Sequence, residues 1–188
     1  MKHIIHKENP NNKYKIVVLV EESRLDKKEI EVAYIQPLVK LGIAEEDIIS
    51  FSLTYNDKGN APIGFCKDYL NTLLPALDSL GVKTLVVANG NYFKALTKVR
   101  KTEPYYGSAI TCSIKEFTHL KIFLTPNYKA LFYNPALQEK IDITNKAVAD
   151  HMVGSYKEIG IGIIHSQSYP KSFLDIRDAL AKLHEYPS

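Results

Sequence analysis

The 188-residue chain has no tryptophan, two cysteines, two methionines and no run of 18 apolar residues. Each shortage excludes something. Cys66 and Cys112 are too few and too far apart for a zinc or iron–sulfur quartet. They also form no disulfide framework, which predicts a reducing, cytoplasmic setting. The lack of a long apolar run excludes a membrane-spanning helix, and the start "MKHIIHKENPNNK" has no apolar core of signal-peptide length. His6, His119, His151, His165 and His184 are scattered at spacings that build no metal site, so neither metal nor cofactor is expected. A net charge of +3 does not by itself imply nucleic acid. A local cluster points further: "KALTKVRK" brings Lys94, Lys98, Arg100 and Lys101 together with no acid among them. Such a run is either a solvated helix end or a set of phosphate contacts.

What is present is a strong alternation of strand and helix signals. "YKIVVLV" over 14–20 is a continuous β-branched run, the mark of a strand buried on both faces. "DIISFSL" over 47–53, "KTLVVA" over 83–88 and "LKIFLT" over 120–125 repeat it. "GSAITCSI" adds a further strand, read as hairpin partner to the last of these. Between them, "DKKEIEVAYIQPLVKLG" is a helix capped by Asp26 and stopped by Gly42, with Pro37 kinking or splitting it. Phe65, Tyr69, Leu73, Leu77 and Leu80 form an apolar stripe at helical spacing, ended by Gly81. Asn89-Gly90 opens a short helix, and Asn134-Pro135 opens a long one carrying Leu137, Ile141, Val148 and Met152 inward.

The alternation predicts an α/β three-layer sandwich around a four-stranded parallel sheet, in spatial order second, first, third, fourth. Ligands of such sheets sit at the carboxyl ends of the strands. The loops after Val20 and Ala88, and the string "LTPNYKALFYNP" after the last strand, would meet there. The α/β domain is expected over 1–156. Residues 157–188 read as one more strand and an amphipathic helix leading toward a further domain.

Three segments together resemble the uracil-DNA glycosylase superfamily, above all its iron–sulfur bacterial and archaeal branch. They are "FCKDYLNTLLPALDSLGVKTLVVANGNYFKAL", "FLTPNYKALFYNPALQEKI" and "KIVVLVEESR". The resemblance spans about 14–153 and implies DNA docked at the strand ends, with a flipped base in the cleft. It places Glu21 at the family's first-loop carboxylate and Asn127 at the histidine that supports the leaving base. The family's base-reading asparagine falls near Ser52, and Cys66 alone matches a cluster cysteine. Where the family has glycines and proline in the first loop, this chain has Val20, Ser23 and Arg24. "IRDALAKLHEYPS" further resembles the lead-in to the exonuclease of phage family A DNA polymerases, some of which carry a degenerate glycosylase-like domain.

The resulting expectation is a non-catalytic, glycosylase-like N-terminal domain of a phage DNA polymerase, in the cytoplasm of an infected bacterium. It would bind DNA or brace the exonuclease and polymerase domains during replication. Lys94, Lys98, Arg100, Lys101 and Lys129 would contact phosphates, and Tyr128 would stack on bases. The alternative is an active uracil-DNA glycosylase using Glu21 and Asn127. A third possibility is a free-standing domain that binds a small nucleotide.

Overall fold

Continuous apolar runs, buried on both faces, make the centre of a mixed sheet. The computed structural model describes residues 1–158, 172–174 and 176–177. In chain order its strands are β1 (His3–Ile5), β2 (Ile16–Glu21), β3 (Ile48–Leu53), β4 (Thr84–Val87), β5 (Ile110–Thr111) and β6 (Lys121–Leu124). Their spatial order is β1-β3-β2-β4-β6-β5. The four expected strands are parallel and lie in the expected order. Among the described residues the sheet has six strands, however, and its outer pairs are antiparallel: β1 with β3, and β5 with β6. Short antiparallel strands at the edges cover hydrogen-bonding groups that a purely parallel sheet would leave open. The β5–β6 hairpin follows the sequence reading; β1 is new.

The helices are α1 (Lys27–Ile30), α2 (Gln36–Lys40), α3 (Ile63–Ser79), α4 (Gly90–Thr97) and α5 (Leu137–Met152). Alternate strand residues face opposite layers, as the strand period of two requires. Val17, Leu19, Leu85, Val87, Ile122 and Leu124 meet α3 and α4 on one face. Ile16, Val18, Val20, Val86 and Phe123 meet the 27–40 helical segment and α5 on the other. This is an α/β arrangement with helices on both sides of the sheet.

Pro37 splits its helix by a definite mechanism. Proline has no N–H to offer the carbonyl of Ala33, four residues back. The chain passes through a π-turn at Glu31–Ile35, where Gln36 N–H bonds back to Glu31 O. Asn145 Nδ2 of α5 donates to the freed Ala33 carbonyl at 3.3 Å. Gly42 then ends α2 at φ +94°, a left-handed conformation that disfavours other residues. In α3 the buried stripe is Cys66, Leu70, Leu73, Leu74 and Leu77, rotated from the expected one; Phe65, Tyr69 and Leu80 are its half-buried flanks. Asn134 starts a turn by accepting Ala136 N–H at 3.2 Å, and α5 proper begins at Leu137. Its fully buried residues include Ile141 and Val148, whereas Leu137 and Met152 are only half-buried.

The chain divides into two compact units, Met1–Glu158 and Ile159–Ser188. The strand and helix expected over 157–188 lie almost wholly outside the described residues. Among the described residues, no helix is long and apolar enough to cross a membrane.

Candidate functional site

A cleft of about 430 Å³ lies at the carboxyl ends of the parallel strands. Its walls include Glu21 from the end of β2, Tyr55 after β3, Asn89 and Gly90 after β4, and Thr125–Asn127 after β6. Thr102, Tyr106 and Tyr133 also line it, as do Arg24 from the turn after β2 and Lys129 from the loop after β6. Glu21 and Asn127, more than a hundred residues apart in the chain, are thus brought into one cavity.

Both groups are already engaged by their own loops. Glu21 opens a 3-10 turn, Glu22–Arg24, and its carboxylate accepts the Ser23 hydroxyl at 2.8 Å. Arg24 Nε stands 4.0 Å from its other oxygen. Val20 is a fully buried strand residue. Asn127 caps the 3-10 turn Tyr128–Phe132, its Oδ1 accepting Lys129 N–H at 3.0 Å. The carboxamide oxygen is therefore committed locally, and the amide group is the part left to donate into the cleft.

The remainder of the string "LTPNYKALFYNP" divides between core and solvent. Tyr128 is 6% exposed and packs edge-on against Tyr34. The Tyr34 hydroxyl donates to Pro126 O at 2.7 Å and accepts Tyr128 N–H at 2.9 Å, so it fixes the residues on both sides of Asn127. The Tyr128 hydroxyl donates to Arg24 O at 2.8 Å, tying this loop to the first one. The expectation that Tyr128 stacks on bases is therefore corrected: its ring is core. Phe132 and Tyr133 are the exposed rings of the string, at 78% and 93%.

The expected phosphate contacts also separate. Lys129 is paired with Glu29 at 2.5 Å and lies over the rings of Tyr128 and Phe132. The pairing holds the Glu29 carboxyl below its usual range. Lys129 is therefore a bound cation on the cleft wall, not a free one. Lys94 lies on α4, but Lys98 does not; it is the left-handed C-cap at φ +60°. Lys94, Lys98, Arg100 and Lys101 have no ion pair among the described residues. They do not line the cleft, but the segment carrying them returns to it at Thr102. Lys140, absent from the sequence reading, sits 4.7 Å from the centre of the Tyr106 ring on the rim.

Ser52 does not reach the cleft. It is fully buried in β3, and its hydroxyl accepts Lys2 N–H at 3.2 Å. Tyr55, two residues after β3, does line the cleft, with its hydroxyl accepting from Asn89 Nδ2. Asn89 Oδ1 meanwhile caps α4 by accepting the N–H groups of Asn91 and Tyr92. Burial, with the Glu21 charge adding to it, pushes the Tyr55 phenol up to about 12. It therefore stays a neutral donor. Cys66 is buried at the start of α3, its thiol 3.2 Å from Ala61 O and pushed up to about 11 by burial. Asn89 was legible as a helix cap; Tyr55, in the turn "YNDKGNAP", carried no signal of its role. No protein-family model matches the chain, and no curated protein matches its sequence.

Proposed function

We propose that this domain grips DNA across the strand-end cleft, as a glycosylase-like fold without glycosylase chemistry, in the service of a phage replicative DNA polymerase. One observation carries the reading. Glu21 and Asn127 share a cleft of the size of a single small ligand, yet each is committed to its own loop. Excision of a base needs a carboxylate that positions water and a donor that supports the departing anion. Here the carboxylate faces Ser23 and Arg24, and the donor is a neutral amide.

Binding has better support. Tyr55, Tyr106 and Tyr133 offer aromatic surface at the cleft, and base–aromatic stacking contributes roughly 1–3 kcal/mol per base. The unpaired cations over 94–101 and Lys140 supply positive charge beside it. The likeness of "IRDALAKLHEYPS" to a polymerase exonuclease lead-in supports a link to exonuclease and polymerase domains.

The test is a pair of assays on uracil-containing and uracil-free oligonucleotides. Salt-sensitive binding of both, with no abasic product above a Glu21→Ala control, is the expected outcome. Abasic product well above that control would establish the alternative, an active uracil-DNA glycosylase. Binding of mononucleotides with none of oligonucleotides would replace DNA by a small nucleotide.

A further inference from the structure

The N-terminal strand pairs with β3 along its three residues, with the His3 ring stacked on Phe51, and is fastened further at its two ends. Of β1 itself, His3 and Ile5 are exposed and only Ile4 is half-buried, so the strand buries little apolar surface. At its start, Lys2 exchanges two hydrogen bonds with Ser52, and its ammonium group pairs with Glu22 at 2.7 Å. Lys2 and Glu22 line a cavity of about 410 Å³ together with Glu21 and Tyr55, which also line the strand-end cleft. Lys2, the residue that leads into the strand, is thus a wall of that cavity. At its end stands His6, whose side chain has no solvent exposure. His6 Nε2 is 2.8 Å from Ser50 Oγ of β3, and Nδ1 is 3.4 Å from Glu31 Oε1 of the π-turn. A carboxylate only accepts, so Nδ1 carries the proton and Nε2 accepts the serine hydroxyl. A neutral ring satisfies both partners.

We propose that β1 is a detachable strap on the strand-end groove, clasped by His6 between Ser50 and Glu31, and that protonation of His6 releases it. The inference does not rest on the nucleic-acid reading. A second ring proton would point at a serine hydroxyl that now donates, and would put a charge where water does not reach. Four groups face the ring: Glu31 and Lys27 from the helical segment, Glu45 from the turn before β3, and Ser50 from β3. Burial dominates and lowers the histidine from its ordinary value; Glu31 and Glu45 oppose that shift, while Lys27 adds to it. Lys27 Nζ also lies 3.7 Å from Glu31, dividing that carboxylate between two partners. With the folded value below the unfolded one, the clasp is at full strength above about pH 6.5 and weakens as pH falls through that value. Release uncovers the edge of β3 and removes the Lys2–Glu22 wall beside Glu21.

Hydrogen–deuterium exchange of the whole chain at about pH 7.5 and about pH 5.5 tests this, with protection corrected for intrinsic rates. Protection of peptides covering 1–8 and 48–54 should fall at the lower pH, by up to about tenfold at one unit below the ordinary histidine value. Peptides from β4 should not change; β6 is no control, because His151, also lowered by burial, packs on its Phe123. His6→Gln should abolish the pH dependence, and His3→Gln should keep it. Glu31→Gln, which removes the charge favouring imidazolium, should deepen the loss. Equal wild-type protection at both pH values, or the same acid loss in His6→Gln, overturns the proposal. If His6→Gln loosens β4 as well, Glu31→Gln decides, and an unchanged acid loss there refutes the clasp.

Discussion

Replacing Tyr34 by phenylalanine should unfasten the candidate site from the core. The Tyr34 ring is fully buried, and its hydroxyl bridges Pro126 O and Tyr128 N–H at 2.7 and 2.9 Å. The substitution keeps the ring and removes one oxygen, leaving Tyr128 N–H unpaired in the interior and Pro126 O with only the long contact from the Thr125 hydroxyl at 3.5 Å. Each unpaired buried group costs about 1–3 kcal/mol, so a loss of about 2–4 kcal/mol is expected after some relaxation toward solvent. With a urea slope of roughly 2 kcal/mol/M, the unfolding midpoint should fall by about 1–2 M. Tyr128→Phe is the comparison, since it removes only the bond to Arg24 O and the contact with Glu29; about 1 kcal/mol is expected. Because Pro126 and Tyr128 flank Asn127, Tyr34→Phe should also speed tryptic cleavage at Lys129. Unfolding free energies within about 0.5 kcal/mol of wild type, or equal for the two variants, would refute the bridge as the anchor of this loop.

Glycosylase assays should detect no uracil excision, and Asn127→His alone should not restore it, because Glu21 stays engaged with Ser23 and Arg24. DNA affinity should fall with salt on a log–log slope of roughly −2 to −3, as for about three neutralised phosphates. Lys98→Glu with Lys101→Glu should flatten that slope, whereas Lys83→Glu with Lys115→Glu, at the opposite ends of the strands, should not. Equal effects of the two pairs would reduce binding to net charge. Stability should decline as pH rises from about 10, because burial pushes Tyr55 and Tyr92 up to about 12 and the unfolded chain loses those protons first. Urea midpoints that agree at about pH 9 and about pH 11 would contradict this.

Local chemistry was enough to read the elements that a short window contains. The apolar runs of β2, β3, β4 and β6 mark buried parallel strands, because no polar alternation interrupts them. Asp26 caps α1 by accepting Glu29 N–H, Asn89 caps α4, and Pro37 breaks its helix, each through atoms within five residues. The strand-end position of Glu21 and Asn127 follows from the same alternation. The helix faces were less legible: α3 has enough apolar residues for two stripes, and packing on the sheet chose Cys66, Leu70 and Leu74 over Phe65, Tyr69 and Leu80. Strand β1 could not be read, since three residues carry no period and β3 supplies the pairing. The site's wiring was also invisible. Tyr34 reaches Tyr128 across 94 residues, and Glu29 takes Lys129 across 100. Sequence determined which segments would be buried and where a cleft would open. Only the tertiary structure decided which of the cleft's charges and rings are free, because a side chain's partners come from elements brought together by packing, not by chain order.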